Sequence, residues 1–362
     1  MNAARIFSAD YGEARAKFLA ACDATNAPVE PFRNPNTGPS GEPLFTDVAA
    51  LGPVDADRAL LLCSGTHGVE GFAGSAIQTG LLRDGITSRL PDGVRLVMIH
   101  ALNPFGFAHL RRANDDNVDL NRNFVDHAVT HPANPAYEAL ASAIALRSCS
   151  RLAAWVSLIR LQCYGLIHGR AKLRAAISSG QYTHPDGLFY GGPAETWSNR
   201  TFRAVVSRHL ADAARVAFVD LHTGLGPFGH GEVMVSADPG SAEHRRALAW
   251  WGERVKSVTA GESVSTYLTG ATKLSFDHLR ASAEVTAATL EFGTFPAVTV
   301  LRAMQAENWL HHHGGADHPR AAAIKAEMRR VFYPDTDDWK DRVWQQGRAV
   351  AAQALAGLAE AG

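Results

Sequence analysis

The run ALLLCSGTHGVEG, Ala59 to Gly71, passes from residues suited to a buried strand into a glycine-rich turn that carries His67 and Glu70. Ligands in open α/β sheets bind in the crevice at the carboxyl ends of strands, so a histidine and a carboxylate delivered there are placed for chemistry. Outward from this stretch, further apolar runs occur at 94–99 (VRLVMI), 215–221 (RVAFVDL) and 285–292 (VTAATLEF), with a weaker strand pattern at 231–237 (GEVMVSA). Helical spacing covers 8–23, 72–83, 136–160, 198–212, 242–257, 298–310 and 338–359. The alternation predicts α/β architecture, a mixed twisted sheet with helices on both faces.

No internal repeat, low-complexity tract or linker interrupts the 362 residues, so 1–362 is expected to form a single domain. The segment PFRNPNTGPSGEP at 31–43 has the Pro, Gly and Asn content of a surface loop, and GQYTHPDGLFYGGP at 180–193 that of a longer loop near a site or a plain connection. Lys plus Arg number 35 against 36 Asp plus Glu. That balance offers no electrostatic reason to expect nucleic acid or a membrane as partner, which leaves small molecules or peptides. Cys22, Cys63, Cys149 and Cys163 are scattered without disulfide or CxxC spacing. The first residues mix charges into a helical pattern rather than a basic start followed by an apolar stretch, and the apolar runs fall short of the roughly 20 residues that span a bilayer. A soluble, cytoplasmic protein is expected.

Two further strand ends offer partners for His67 and Glu70. VDLHTGLG delivers His222 into a Gly-rich turn, and two histidines with one carboxylate give zinc three protein ligands and an open fourth position for water. ATLEFGTFP interrupts an apolar strand with Glu291, a costly burial explained by a nearby cation or by proton transfer, which makes Glu291 the candidate general base. After the strand at 94–99, NPFGFAHLRRANDDNVDLNRNF (Asn103 to Phe124) is dense in amides and arginines. There Asn121 and Arg122 could bind a substrate carboxylate, and Arg112 or Arg111 could face a developing oxyanion.

HGVE, NPFG, VDLNRNF, LHTG and LEFGTF follow one another in that order over roughly residues 60–300. The ordered set resembles the zinc metallocarboxypeptidases of the carboxypeptidase A type. The resemblance implies His67, Glu70 and His222 as ligands of one Zn²⁺ per chain, the His₂Glu set of carboxypeptidase A. It also implies Asn121 and Arg122 as clamp on a terminal carboxylate, Glu291 as base and proton shuttle, and Asp119 as the carboxylate that fixes the tautomer of His67. Three features depart from the digestive enzymes. Nearly a hundred residues separate Phe124 from His222, and 130–198 reads as an inserted cap. The tyrosine that closes over substrate has no secure counterpart among Tyr267, Tyr182 and Tyr190. The Trp-Arg context of the oxyanion arginine is absent, and Arg112 is preferred to Arg111 on its spacing before VDLNRNF. These departures are most similar to an uncharacterised bacterial branch, related to succinylglutamate desuccinylase and aspartoacylase.

The expected activity is zinc-dependent hydrolysis of an amide beside a free carboxylate, on a small peptide or, as an alternative, an N-acyl amino acid. A catalytically silent carboxylate-binding module is the contrasting reading, disfavoured because such a module needs no base. Oligomeric state is left open. HHHGGADH at 311–318 reads as a solvated helix end rather than a second metal site, Trp250 and Trp251 as packing, and His109, His127 and His168 as surface or core histidines.

Overall fold

A computed structural model describes residues 3–210, 212–266, 268–279 and 283–360. The strands are β1 (Val29–Thr37), β2 (Pro43–Leu51), β3 (Arg58–Ser64), β4 (Val94–His100), β5 (Arg215–Phe228), β6 (Gly231–Val235), β7 (Val255–Ser257) and β8 (Glu284–Gly293). They form one eight-stranded sheet in the order β1-β2-β4-β3-β5-β8-β6-β7. β4, β3, β5 and β8 run parallel at its centre, while β1, β2 and β6 pair antiparallel to their inner neighbours, so the sheet is mixed.

Before the fifth strand lie α1 (Tyr11–Ala24), α2 (Gly71–Arg83), α3 (Pro104–Ala108), α4 (Pro135–Ile144), α5 (Arg151–His168), α6 (Arg170–Ser178) and α7 (Trp197–His209). After it come α8 (Ala242–Trp251), α9 (Leu274–Leu279), α10 (Ala297–Trp309), α11 (Ala321–Phe332) and α12 (Asp337–Ala359). The central strands are mainly apolar because both faces are covered, and their polar residues gather toward the ends. Leu60 and Leu62 of β3 pack with Phe72 and Ile77 of α2 and Val343 of α12, whereas Ala59, Leu61 and Cys63 point the other way, toward Phe202 and Val205 of α7. A third cluster joins Tyr137, Leu140 and Leu161 of α4 and α5 to Val300 and Met304 of α10.

Three expectations need correction. Residues 31–43 are not a surface loop: Val29–Thr37 is a strand, and the turn before Pro43 leads into its partner. Pro31 and Pro35 are accommodated because β1 is an edge strand, paired on one side only. The single helix expected over 136–160 is two, interrupted at 145–150, with the Ser150 side chain capping α5 by accepting from the Ala153 amide. The helix expected over 242–257 ends at Trp251, before Gly252, and the chain then enters β7. Trp251 packs in the main core and donates to the Val350 carbonyl at 3.1 Å. Among the described residues no helix is long and apolar enough to cross a membrane.

The core also contains an ionisable group. His100, at the end of β4, is fully buried, stacks on Phe18 at 4.4 Å and meets the Ser75 hydroxyl at 2.8 Å. Burial pushes its pKa down to about 3. Protons therefore bind the unfolded chain in preference between about pH 6.5 and 3, so this contribution is complete above pH 6.5 and is lost as the pH falls toward 3. The expected slope is roughly 1.4 kcal/mol per pH unit. Urea midpoints of wild type and His100→Gln across that window check it, and parallel pH profiles would exclude His100 as the cause.

Candidate metal centre

β3, β5 and β8 end on the same edge of the sheet, beside the point where the chain goes from β3 outward to β4 on one side and later returns as β5 on the other. At this switch point the glycines of the opening stretch have separate tasks. Gly65 adopts φ +65°, and a Cβ there would lie 2.6 Å from Ala101 Cβ. A Cβ on Gly68 would lie 2.1 Å from the Gly106 backbone. The turn can thus fold tightly against the NPFG segment, and it presents His67 and Glu70 on one short 3₁₀ turn (Gly68–Glu70).

The three ligand candidates converge. His67 Nδ1 is 3.0 Å from Glu70 Oε1, and His222 Nδ1 is 3.0 Å from His67 Nδ1 and 2.9 Å from Glu70 Oε2. One donor atom from each of His67, Glu70 and His222 lies within 4.8 Å of the others, and all three residues are buried, so the trio could hold a metal ion. The outer ring nitrogens face carboxylates. Asp119 Oδ1 sits 3.1 Å from His67 Nε2, and Asp220 Oδ2 2.9 Å from His222 Nε2, the latter off the line of a well-formed hydrogen bond. A proton on each Nε2 leaves the Nδ1 lone pairs pointing into the cluster, the arrangement that suits a cation.

Asp220 was not among the candidates drawn from sequence. It accepts from Thr66 and Thr272 hydroxyls at 2.8 and 3.0 Å, and it shares the face of β5 with His222 because side chains two apart on a strand point the same way. The Asp-x-His spacing in VDLHT was the available signal.

Charge supports the same reading. Glu70, Asp119, Asp220 and Glu291 are four buried carboxylates, set against the guanidiniums of Arg112 and Arg122. Burial alone would raise Glu70, but His67, Arg112 and His222 pull it far below the usual carboxylate range. Burial likewise opposes charge on His222, yet Asp220 and Glu70 push it well above the ordinary imidazole range. Four carboxylates against two guanidiniums leave the centre short of positive charge, a deficit that a divalent cation would fill.

Glu291 pairs in register with His222 across β5 and β8, and its Oε1 accepts from the Leu225 amide at 2.8 Å. Burial, then the nearby charge of Glu70, raises it to about 7. Arg112 spans the cluster, with Nη1 2.5 Å from Glu70, Nε 3.2 Å from Asp119 and Nη2 2.9 Å from His67 Nε2. His67 cannot both accept from Arg112 and donate to Asp119 through one nitrogen, and a ring that offers Nδ1 to a cation must donate to Asp119. Arg111 is elsewhere, buried against Glu307 at 3.0 Å and Asn117 at 2.8 Å. Arg122 donates to Asp119 at 3.0 Å and to the carbonyl of Ser178, the last residue of α6. Asn121 accepts from the Thr272 amide at 3.1 Å.

His67, His222, Glu291, Arg112, Asn121 and Arg122 all line one cleft of about 680 Å³. Neither Tyr182 nor Tyr190 lines it, and Tyr267 lies outside the described residues. Phe189 does, at φ +58°, with its ring 5.7 Å from the Arg112 guanidinium and 5.2 Å from that of Arg122.

The fold is shared with metallocarboxypeptidases. Bovine thrombin-activatable fibrinolysis inhibitor, solved in complex with a tick carboxypeptidase inhibitor, aligns at TM-score 0.51 and 10% identity over 97% of each chain. Carboxypeptidase A from Helicoverpa armigera aligns at TM-score 0.46 and 14% identity, over 88% of this chain and 73% of the other. An aspartoacylase family protein from Mesorhizobium loti aligns at TM-score 0.38 and 14% identity, over 78% and 66%. No curated protein matches the sequence. Residues 7–346 match the family described as protein of unknown function DUF2817, and the chain belongs to that family.

Proposed function

We propose that this protein is a zinc-dependent hydrolase that cleaves an amide bond next to a free carboxylate. The observation that carries the proposal is the convergence of His67, Glu70 and His222, with Glu291 on the adjacent strand position and Arg112 and Arg122 on the same cleft wall. A zinc ion held by the three side chains would supply a Lewis acid for the scissile carbonyl and lower the pKa of water there toward about 7. Glu291 takes the water proton and returns it to the leaving nitrogen. Asn121 and Arg122 bind the substrate carboxylate, and Arg112 faces the oxygen that becomes negative. Asp119 holds the His67 imidazole by its Nε2 proton, and Asp220 faces the outer nitrogen of His222. Residues 130–198 act as a cap, since Arg174, Ile177 and Phe189 from that segment close one side of the cleft.

Elemental analysis of protein purified without added metal or a histidine tag tests this first, with about one zinc per chain expected. Hydrolysis of N-blocked dipeptides and N-acyl amino acids, each as free acid and as amide, then tests substrate class. Release from the free acids alone supports the carboxylate clamp, and equal rates on the amides would end it. Asp220→Asn is expected to weaken metal binding by about 10–100-fold, read by competition with a chromogenic chelator. Unchanged affinity would leave Asp220 as a packing residue of β5.

A further inference from the structure

One helix turns an apolar face to solvent. Leu152 is 69% exposed, Trp155 58%, Leu166 86% and Ile167 76%, all on α5, and Val156 and Ile159 lie between them. At 3.6 residues per turn these six fall within an arc of about 120°, a continuous stripe along the helix. The opposite side carries the buried Ser157 and Leu161. Isolated exposed hydrophobics need no explanation, but a stripe of this length marks a contact surface.

Its electrostatic surroundings select the occupant. From residue 139 to residue 185 the sequence contains no Asp or Glu and six cations, Arg147, Arg151, Arg160, Arg170, Lys172 and Arg174, in a chain whose total charge is −1. All six are exposed. Arg151 and Arg160 border the stripe on opposite sides, where long stems can lie along an apolar surface while the charges reach outward. Among the described residues Arg160 hydrogen-bonds neutral groups, the Ser142 hydroxyl and the Ala139 carbonyl. The chain-wide charge balance hides this local excess. A second copy of the chain is a poor occupant, because a two-fold contact along α5 would set Arg160, near mid-helix, against its own counterpart with no carboxylate to pair it.

We propose that α5 docks on an anionic lipid surface, its apolar stripe entering the headgroup boundary and its flanking cations meeting lipid phosphates and carboxylates. An amphipathic helix with Trp and Leu on one face and Arg on the borders binds in this way without spanning. α6 follows directly, and its Arg174, Ile177 and Ser178 line the cleft, so docking would hold the cleft rim beside the lipid surface.

Sedimentation of the full chain with vesicles of phosphatidylcholine, alone or mixed with phosphatidylserine, at about 0.15 M salt, tests the proposal. Wild type is expected to partition at least about 10-fold better onto the mixed vesicles. Leu166→Ser with Ile167→Ser is expected to lose binding by a similar factor, and Arg151→Glu with Arg160→Glu to abolish the preference for anionic lipid, with melting temperatures unchanged in both. Equal partitioning on the two vesicle types, or serine variants that bind as wild type does, would overturn it. So would a wild-type dimer that the serine variants dissociate, or salt-sensitive binding to polyglutamate without binding to vesicles, outcomes that assign the stripe to a second copy or to an acidic protein.

Discussion

Replacing Glu291 by glutamine is expected to leave zinc content at the wild-type level and lower turnover by about 10²–10⁴-fold. The exchange conserves size, and the side-chain oxygen can still accept from the Leu225 amide, so the strand and the cluster beside it are preserved. It removes a carboxylate on the cleft, in register with His222, that is placed to accept a proton next to the trio. Burial and Glu70 raise Glu291 to about 7 before any cation is bound, and a bound cation would lower it. As a base it works only when ionised. Activity of the wild type should therefore rise with pH through the Glu291 pKa, and the acid limb of the profile should vanish in whatever activity the variant retains. Full turnover in Glu291→Gln, on a substrate that wild type hydrolyses, would remove Glu291 from the mechanism.

The second large effect is expected from His67→Ala, which should take the zinc content from about one per chain to background and carry hydrolysis down with it. His67 supplies one of three donors, and two ligands do not make a stable zinc site in competition with buffer. The fold should survive, because Asp119 keeps its ion pairs to Arg112 and Arg122 at 3.2 and 3.0 Å. A cooperative melt therefore has to accompany the metal loss for the result to count. Zinc retained in a folded His67→Ala protein would mean that the ion sits elsewhere. Comparison with Glu291→Gln separates the roles: one variant loses metal and rate together, the other loses rate alone.

Much of the centre was legible because its residues follow strand ends. His67, Glu70, His222 and Glu291 each stand after or at the close of an apolar run, and the parallel strands bring those ends to one edge. Spacing before VDLNRNF favoured Arg112 over Arg111, but the fate of Arg111 was not readable from it, since adjacent residues diverge and a buried Glu307 far along the chain claims Arg111. Asp220 was overlooked because a lone carboxylate within a strand run reads as a pattern break until its partners, Thr66 and Thr272, are seen to arrive from distant segments. β1 and β2 were hidden for another reason. The prolines of β1 mimic a loop, and only its place at the sheet edge makes them compatible with pairing. Local composition cannot carry that positional information.

His222 and Glu291 are partners in register on adjacent strands, so their separation is set by the hydrogen-bonded spacing of the sheet, about 4.8 Å, and not by a loop. Many other residues around the cleft come from the segment 258–273, from the end of α6 and Phe189, and from the start of α10. Divergence among descendants of such a chain can therefore be divided. Insertions and substitutions in those segments would alter which molecules are accepted, while the interval between His222 and Glu291 is inherited unchanged with the ladder.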